Sequence, residues 1–192
     1  MLPLAVQNKN ILRLAAAQAL AGANSVVFYA TGAIVGNAIA PSPSLATLPI
    51  TLFVLGMAAS ILLFGALARK RGRKAAFMAG TGAGVVTGLA AALAVVLGSF
   101  LLFCFAAMLG GAYAAVALSF RFAATDGVAP ERRARALSLV MGGGVAAGII
   151  GPMLVTGTMH LWPTHTFAFT FLAQALVAAL AAILLAGVTS AE

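Results

Sequence analysis

"GALARKRGRK", Gly65 to Lys74, places five Lys or Arg residues in ten, in a chain where only 7% of residues are charged. It lies between two long apolar runs. The 192-residue chain is 63% hydrophobic, with a mean hydropathy of +1.12. A soluble domain carries about 25% charged residues, so this composition excludes one. Apolar runs of about 20 residues cross a bilayer as helices. The basic stretch therefore reads as the turn between two membrane spans.

Working outward, six apolar segments emerge, at about 11–36, 45–67, 75–97, 100–122, 136–158 and 166–188. The breaks between them are "NAIAPSPS", "ARKRGRK", "GS", "ATDGVAPERRAR" and "HLWPTH", all turn chemistry. The "GS" break is so short that spans three and four must form a tight antiparallel hairpin. The expected fold is an all-α membrane protein, one six-helix bundle over residues 1–192. The first apolar segment is too long for the core of a signal peptide, and other spans follow it.

The charges orient this arrangement. Lys9 and Arg13 precede or open span one. Arg69, Lys70, Arg71, Arg73 and Lys74 lie between spans two and three, and Arg121, Arg132, Arg133 and Arg135 lie around the turn between spans four and five. These are all eleven Lys and Arg residues of the chain, and all fall on one side of the alternating spans. Basic residues collect in cytoplasmic loops, so both termini are expected in the cytoplasm. The formal net charge of +8 sits in turns rather than on a folded face, which argues against a nucleic-acid partner. The lone cysteine, Cys104, excludes an intrachain disulfide and any Cys-paired metal site. It reads as a buried, inert thiol.

The order of residues in the basic turn carries more than topology. It resembles the signature between helices two and three of the major facilitator superfamily, roughly Gly-x-Leu-Ala-Asp-Arg-x-Gly-Arg-Arg/Lys. Gly65, Leu67, Ala68, Gly72, Arg73 and Lys74 match. Lys70 stands where Arg is usual, and Arg69 occupies the Asp position. In the family that Asp belongs to a charge network holding the cytoplasmic ends of two halves together, so here the network is rebuilt or absent. The resemblance implies a conformational-switch role for Gly65, Arg69, Gly72, Arg73 and Lys74. Asp126 and Glu131, the only internal acids, sit in the turn between spans four and five. Asp126 either pairs with the basic turn or stays a cap or a solvated charge.

Two further stretches agree. "GGGVAAGIIGP", Gly142 to Pro152, resembles the Gly-rich run of the family's helix five, with Ala147 replacing one glycine and Val155-Thr156 the closing pair. Gly144, Gly148, Gly151 and Pro152 are expected at a helix contact, as are Gly80, Gly84 and Gly88 on span three. Small residues let membrane helices approach closely. "RFAATDGVAPERRARALSLV", Arg121 to Val140, is similar to a bacterial subgroup containing copper importers for cytochrome oxidase assembly and riboflavin transporters.

The superfamily has twelve helices in two bundles. The resemblance thus implies an amino-terminal bundle built as two inverted three-helix repeats, ending at "LLAGVTSAE" where a central linker would begin. It implies a bacterial-type inner membrane and a second six-helix bundle, or a second copy, as partner. It implies a secondary transporter moving a small molecule or ion, copper and riboflavin being the substrates of that subgroup, with no cofactor. The rival is a non-transporting six-helix subunit or assembly factor.

Polar residues at membrane depth default to functional hypotheses. Gln18, Gly22, Ser25 and Tyr29 fall within about 60° of one another at 100° per residue, and Asn24 lies outside that stripe. The resemblance puts helix one on the central cavity, so Gln18, Ser25 and Tyr29 are either pathway residues or helix-to-helix glue. Tyr113 is either a cavity residue or packing, and Arg121 either a snorkelling interface residue or a ligand. Met153, Met159 and His160, with His165 nearby, are of a chemistry that suits copper, but methionine is also ordinary apolar filler. Paired intrahelical histidines, a Gly-x-Ser-x-Gly serine and a phosphate-cradling loop are all missing from the sequence, so no enzyme is expected.

Overall fold

A computed structural model describes residues 3–189. The two chain ends that the charge pattern places in the cytoplasm lie outside the described residues. The elements are α1 (Leu4–Ile39), a 3₁₀ turn (Pro43–Leu45), α2 (Leu48–Arg71), α3 (Arg73–Leu97), α4 (Phe100–Ala117), the short α5 (Phe120–Ala123), α6 (Pro130–Thr158) and α7 (Ala168–Ala186). No strand occurs among the described residues. Six helical segments are long and apolar enough to cross a membrane, α4 and α5 together forming one of them.

Several boundaries differ from the hydropathy reading. α1 begins at Leu4 rather than near residue 11, and α6 at Pro130 rather than near 136. Hydropathy marks the apolar core of a helix, but the helix continues into the polar zone wherever its ends are capped or packed. Pro130 opens α6 where its missing N–H costs nothing. The fourth span breaks at Leu118–Ser119, where the Ser119 hydroxyl turns back onto the Val116 carbonyl at 2.6 Å. The expected α3–α4 hairpin is present. Gly98 takes a left-handed φ of 63°, and the Ser99 side chain accepts from the Leu102 N–H.

The packing order repeats itself by inversion. α1 packs on α6, α2 packs on α4, and α3 packs on α7. The first helix of each three-helix repeat thus lies against the second helix of the other, and the two third helices meet. Two cores result. Leu14, Phe77, Tyr113, Val116, Phe120 and Leu185 belong to the one near the basic turns. Phe28, Phe53, Phe103 and Phe171 belong to the other, with the Phe28 ring 5.4–5.8 Å from each of the remaining three. α4 is the most enclosed span, and α2 and α6 are the least.

Glycine sets the close approaches. A Cβ at Gly80 would come within 2.6 Å of Val116, and one at Gly88 within 2.6 Å of the α7 backbone. A Cβ at Gly84 would strike the Tyr113 ring. On α6 Gly151 is at the contact as expected, but the other two positions are off by one residue. Gly148 is exposed with no neighbour within 4 Å, and Gly144 makes only ordinary contact with Gln18 at 3.9 Å. The face that meets α1 carries Gly143, Ala147 and Gly151. A side chain at Gly143 would meet the Ala15 carbonyl, and one at Gly151 would lie 2.5 Å from Val26. Pro152 points away on the exposed side.

Candidate functional site

The polar end of the bundle is organised by the turn between α2 and α3. Arg69, Lys70 and Arg71 close α2, where cations offset the negative end of the helix dipole. Gly72 then turns the chain at φ 85°, ψ 160°, a backbone that favours glycine. Arg73 opens α3 and its Nη1 meets the Asp126 carboxylate at 3.0 Å. This is the sole ion pair among the described residues. Both partners are roughly half exposed, so the pair contributes ~0–1 kcal/mol. It ties the basic turn to the turn after α5, while Arg69 and Lys74 extend into solvent.

Beside it lies a cluster the sequence reading missed. Asn10 of α1 grips Thr189, donating to its carbonyl at 2.7 Å and accepting its N–H at 3.1 Å. Gln7 donates to the Gly127 carbonyl at 3.1 Å and accepts from Arg132 at 3.3 Å. Arg13 donates to the Gly187 carbonyl, at the C-terminal end of α7. A cavity of about 270 Å³ opens here, lined by Asn10, Gly72, Arg73, Lys74 and Asp126 among others. The signal was available in "AVQNKN", where amides sit one helical turn apart, but the apolar runs drew the reading away from it.

The stripe on α1 divides in two. Gln18 lies half-buried against Gly143 and Gly144 of α6, and Gly22 faces Ala147. Ser25 is half-buried, and Tyr29 is 50% exposed with its ring edge-on to Phe53 at 5.4 Å. Among the described residues, the Gln18, Ser25 and Tyr29 side chains have no hydrogen-bond partner.

Tyr113 is placed differently from the cavity position considered for it. It is fully buried on Gly84, deep inside the bundle. Its exposure is zero because α3 supplies a glycine where the ring lands, so it packs and does not line an open face. Asn24, 100° round α1 from Ser25 of the stripe, is the buried polar centre. It donates to the Gly110 carbonyl of α4 at 3.2 Å and accepts from Gln174 of α7. Gln174 went unremarked in the sequence, although a lone amide in an apolar helix is itself a signal.

The methionine and histidine candidates lie in differing surroundings. Met153 stands exposed on α6, Met159 packs against the aromatic core, and His160 is exposed. His165 sits edge-on to Trp162 at 4.8 Å.

The family model of the Major Facilitator Superfamily matches residues 14–191. The chain belongs to this superfamily. It is 40% identical over 173 residues to the riboflavin transporter RfnT of Brucella anthropi, covering 90% of this chain and 44% of that protein. It is 31% identical over 173 residues to YdeG of Bacillus subtilis, an uncharacterized transporter of the same type, covering 89% of this chain and 39% of that one. The chain spans less than half the length of these curated relatives. Major facilitator proteins carry solutes and are not enzymes.

Proposed function

We propose that this chain is the amino-terminal bundle of a secondary transporter that moves a small solute by alternating access between two bundles. The bundle would sit in a bacterial-type inner membrane with its basic turns in the cytoplasm. The observation that carries the reading is the open polar face of α1. Gln18, Ser25 and Tyr29 keep unpartnered polar atoms at membrane depth, where an unsatisfied group is costly unless a solute or a water-filled path meets it. The least enclosed helices, α2 and α6, would receive the second bundle. The Arg73–Asp126 pair, with Gly65, Arg69, Gly72 and Lys74, would bias the inward and outward states at the cytoplasmic end.

Riboflavin is the first substrate to test. The relative that is 40% identical is named for it, and the half-exposed Tyr29 ring offers a face on which a flat heteroaromatic can stack. In vesicles holding the full-length protein, Tyr29→Ala should lower riboflavin uptake about fivefold, since stacking on an aromatic is worth ~1–3 kcal/mol, and Gln18→Ala should lower it by a similar factor through loss of a hydrogen bond worth ~0.5–1.5 kcal/mol. Folded protein levels should stay near wild type. Reduced membrane yield with unchanged uptake per molecule would make the stripe packing glue instead.

Orientation has its own test. Cysteine placed at Lys70 should react with a membrane-impermeant reagent only from the cytoplasmic side, and cysteine at Pro163 only from outside. Labelling of position 70 in intact cells would overturn the orientation.

A further inference from the structure

A groove of about 420 Å³ runs between α2, α3 and the α4–α5 break; it shares Arg73 with the ion pair and lies apart from the α1 stripe. Its walls include Ile61, Phe64, Val116 and Phe122, and its polar end holds Arg73 and Arg121. No acidic residue lines it among the described residues. Arg73 shares its charge with Asp126. Arg121 has no carboxylate partner among the described residues, and its guanidinium lies 5.0 Å over the Phe122 ring. Ile61 is 49% exposed and Phe122 56%, so this bundle by itself leaves the apolar wall uncovered.

We propose that this groove is a binding site for one anionic phospholipid, its phosphate held by Arg121 and Arg73 and an acyl chain lying along Ile61, Phe64 and Val116. The charge and the shape agree on that occupant. From Ile61 to Ala68, α2 advances ~10 Å at 1.5 Å per residue, so the apolar wall runs from the basic end into the hydrocarbon region. A free phosphate would satisfy the arginines and leave that wall bare. A zwitterionic lipid would cover the wall but bring a cation toward two guanidiniums. Basic pockets between membrane helices on the cytoplasmic side recognise anionic headgroups in this way. The α4–α5 break has a purpose in this arrangement: the turn at Leu118–Ser119 lets Arg121 reach the groove mouth beside Arg73.

The test is lipid retention by the delipidated full-length protein, read by native mass spectrometry. Phosphatidylglycerol, phosphatidylethanolamine and inorganic phosphate are supplied in separate arms. Phosphatidylglycerol should be retained as a single tight adduct, about fivefold over phosphatidylethanolamine, and inorganic phosphate should not displace it. Arg121→Gln should weaken retention about fivefold, equivalent to ~1 kcal/mol for one basic residue. Gly65→Leu should weaken it as well, because position 65 lines the groove and a Cβ there meets only the flexible Arg69 guanidinium, at 3.6 Å, while Arg121 and Arg73 remain. Arg135→Gln, in the separate cleft between α1 and α6, should change nothing. Equal retention of the two lipids, displacement by phosphate, or an equal loss in Arg135→Gln would overturn the site. So would a full-length protein that retains no lipid because a second bundle covers α2.

Discussion

Valine at position 143 should cost the folded bundle ~3 kcal/mol, and valine at position 148 almost nothing. Both are glycines in one Gly-rich run on α6. At Gly143 a Cβ would run into the backbone carbonyl of Ala15 on α1. A backbone atom cannot rotate aside as a side chain can, so α1 and α6 must separate. Overpacking of this kind costs ~1–3 kcal/mol, and contact with backbone belongs at the upper end. At Gly148 nothing lies within 4 Å, and a substitution away from contacts stays within about ±0.5 kcal/mol. For a chain of this size each kcal/mol moves the melting midpoint by ~2–4 °C. Gly143→Val should therefore lower it by ~6–12 °C in detergent, with Gly148→Val close to wild type. Equal shifts in the two variants would mean that the described α1–α6 register is wrong.

Asn24→Leu should be the most damaging change of a polar side chain within the spans. It removes the bonds to the Gly110 carbonyl and the Gln174 amide together. Both partners are left inside the protein, where no water replaces the lost bond. An orphaned buried group costs ~1–3 kcal/mol. Interhelical hydrogen bonds in membrane proteins couple by ~0.6 kcal/mol on average and ~1.7 at most, so Asn24→Leu should lose ~2 kcal/mol in all. The companion Gln174→Leu should lose less, because Asn24 keeps its bond to α4. The double variant should lose less than the sum of the singles, since neither then strands the other. Strict additivity, measured by thermal or denaturant unfolding, would show that the two amides do not interact.

These two predictions also mark where the sequence stops. Six spans and the turn at Gly72 were legible, because hydropathy adds along the chain and a tight turn needs a particular residue. The Arg73–Asp126 pair was partly legible, because the two internal acids sit in one turn facing five cations and have few places to go. The buried face of each helix was not. In a soluble helix the polar side marks the outside, but in a bilayer the lipid-facing side is as apolar as the core. α6 offered glycines on two adjacent faces, and the sequence favoured Gly144, Gly148 and Gly151 while the fold uses Gly143, Ala147 and Gly151.

The same limit governed the polar residues. Asn24 and Ser25 are neighbours in the chain and differ by 100° around α1. Only the positions of α4 and α7 decided that Asn24 is a buried structural centre and that Ser25 is left on the open side. Tyr113 likewise went into the core because Gly84 of α3 leaves room for its ring, a fit between residues 29 positions apart. The sequence by itself determined a six-span member of a transporter superfamily and the side on which its charges lie, since those depend on sums along the chain. Tertiary structure decided which glycines touch, which amides are satisfied and which aromatic faces the open side, since those depend on which helix becomes whose neighbour.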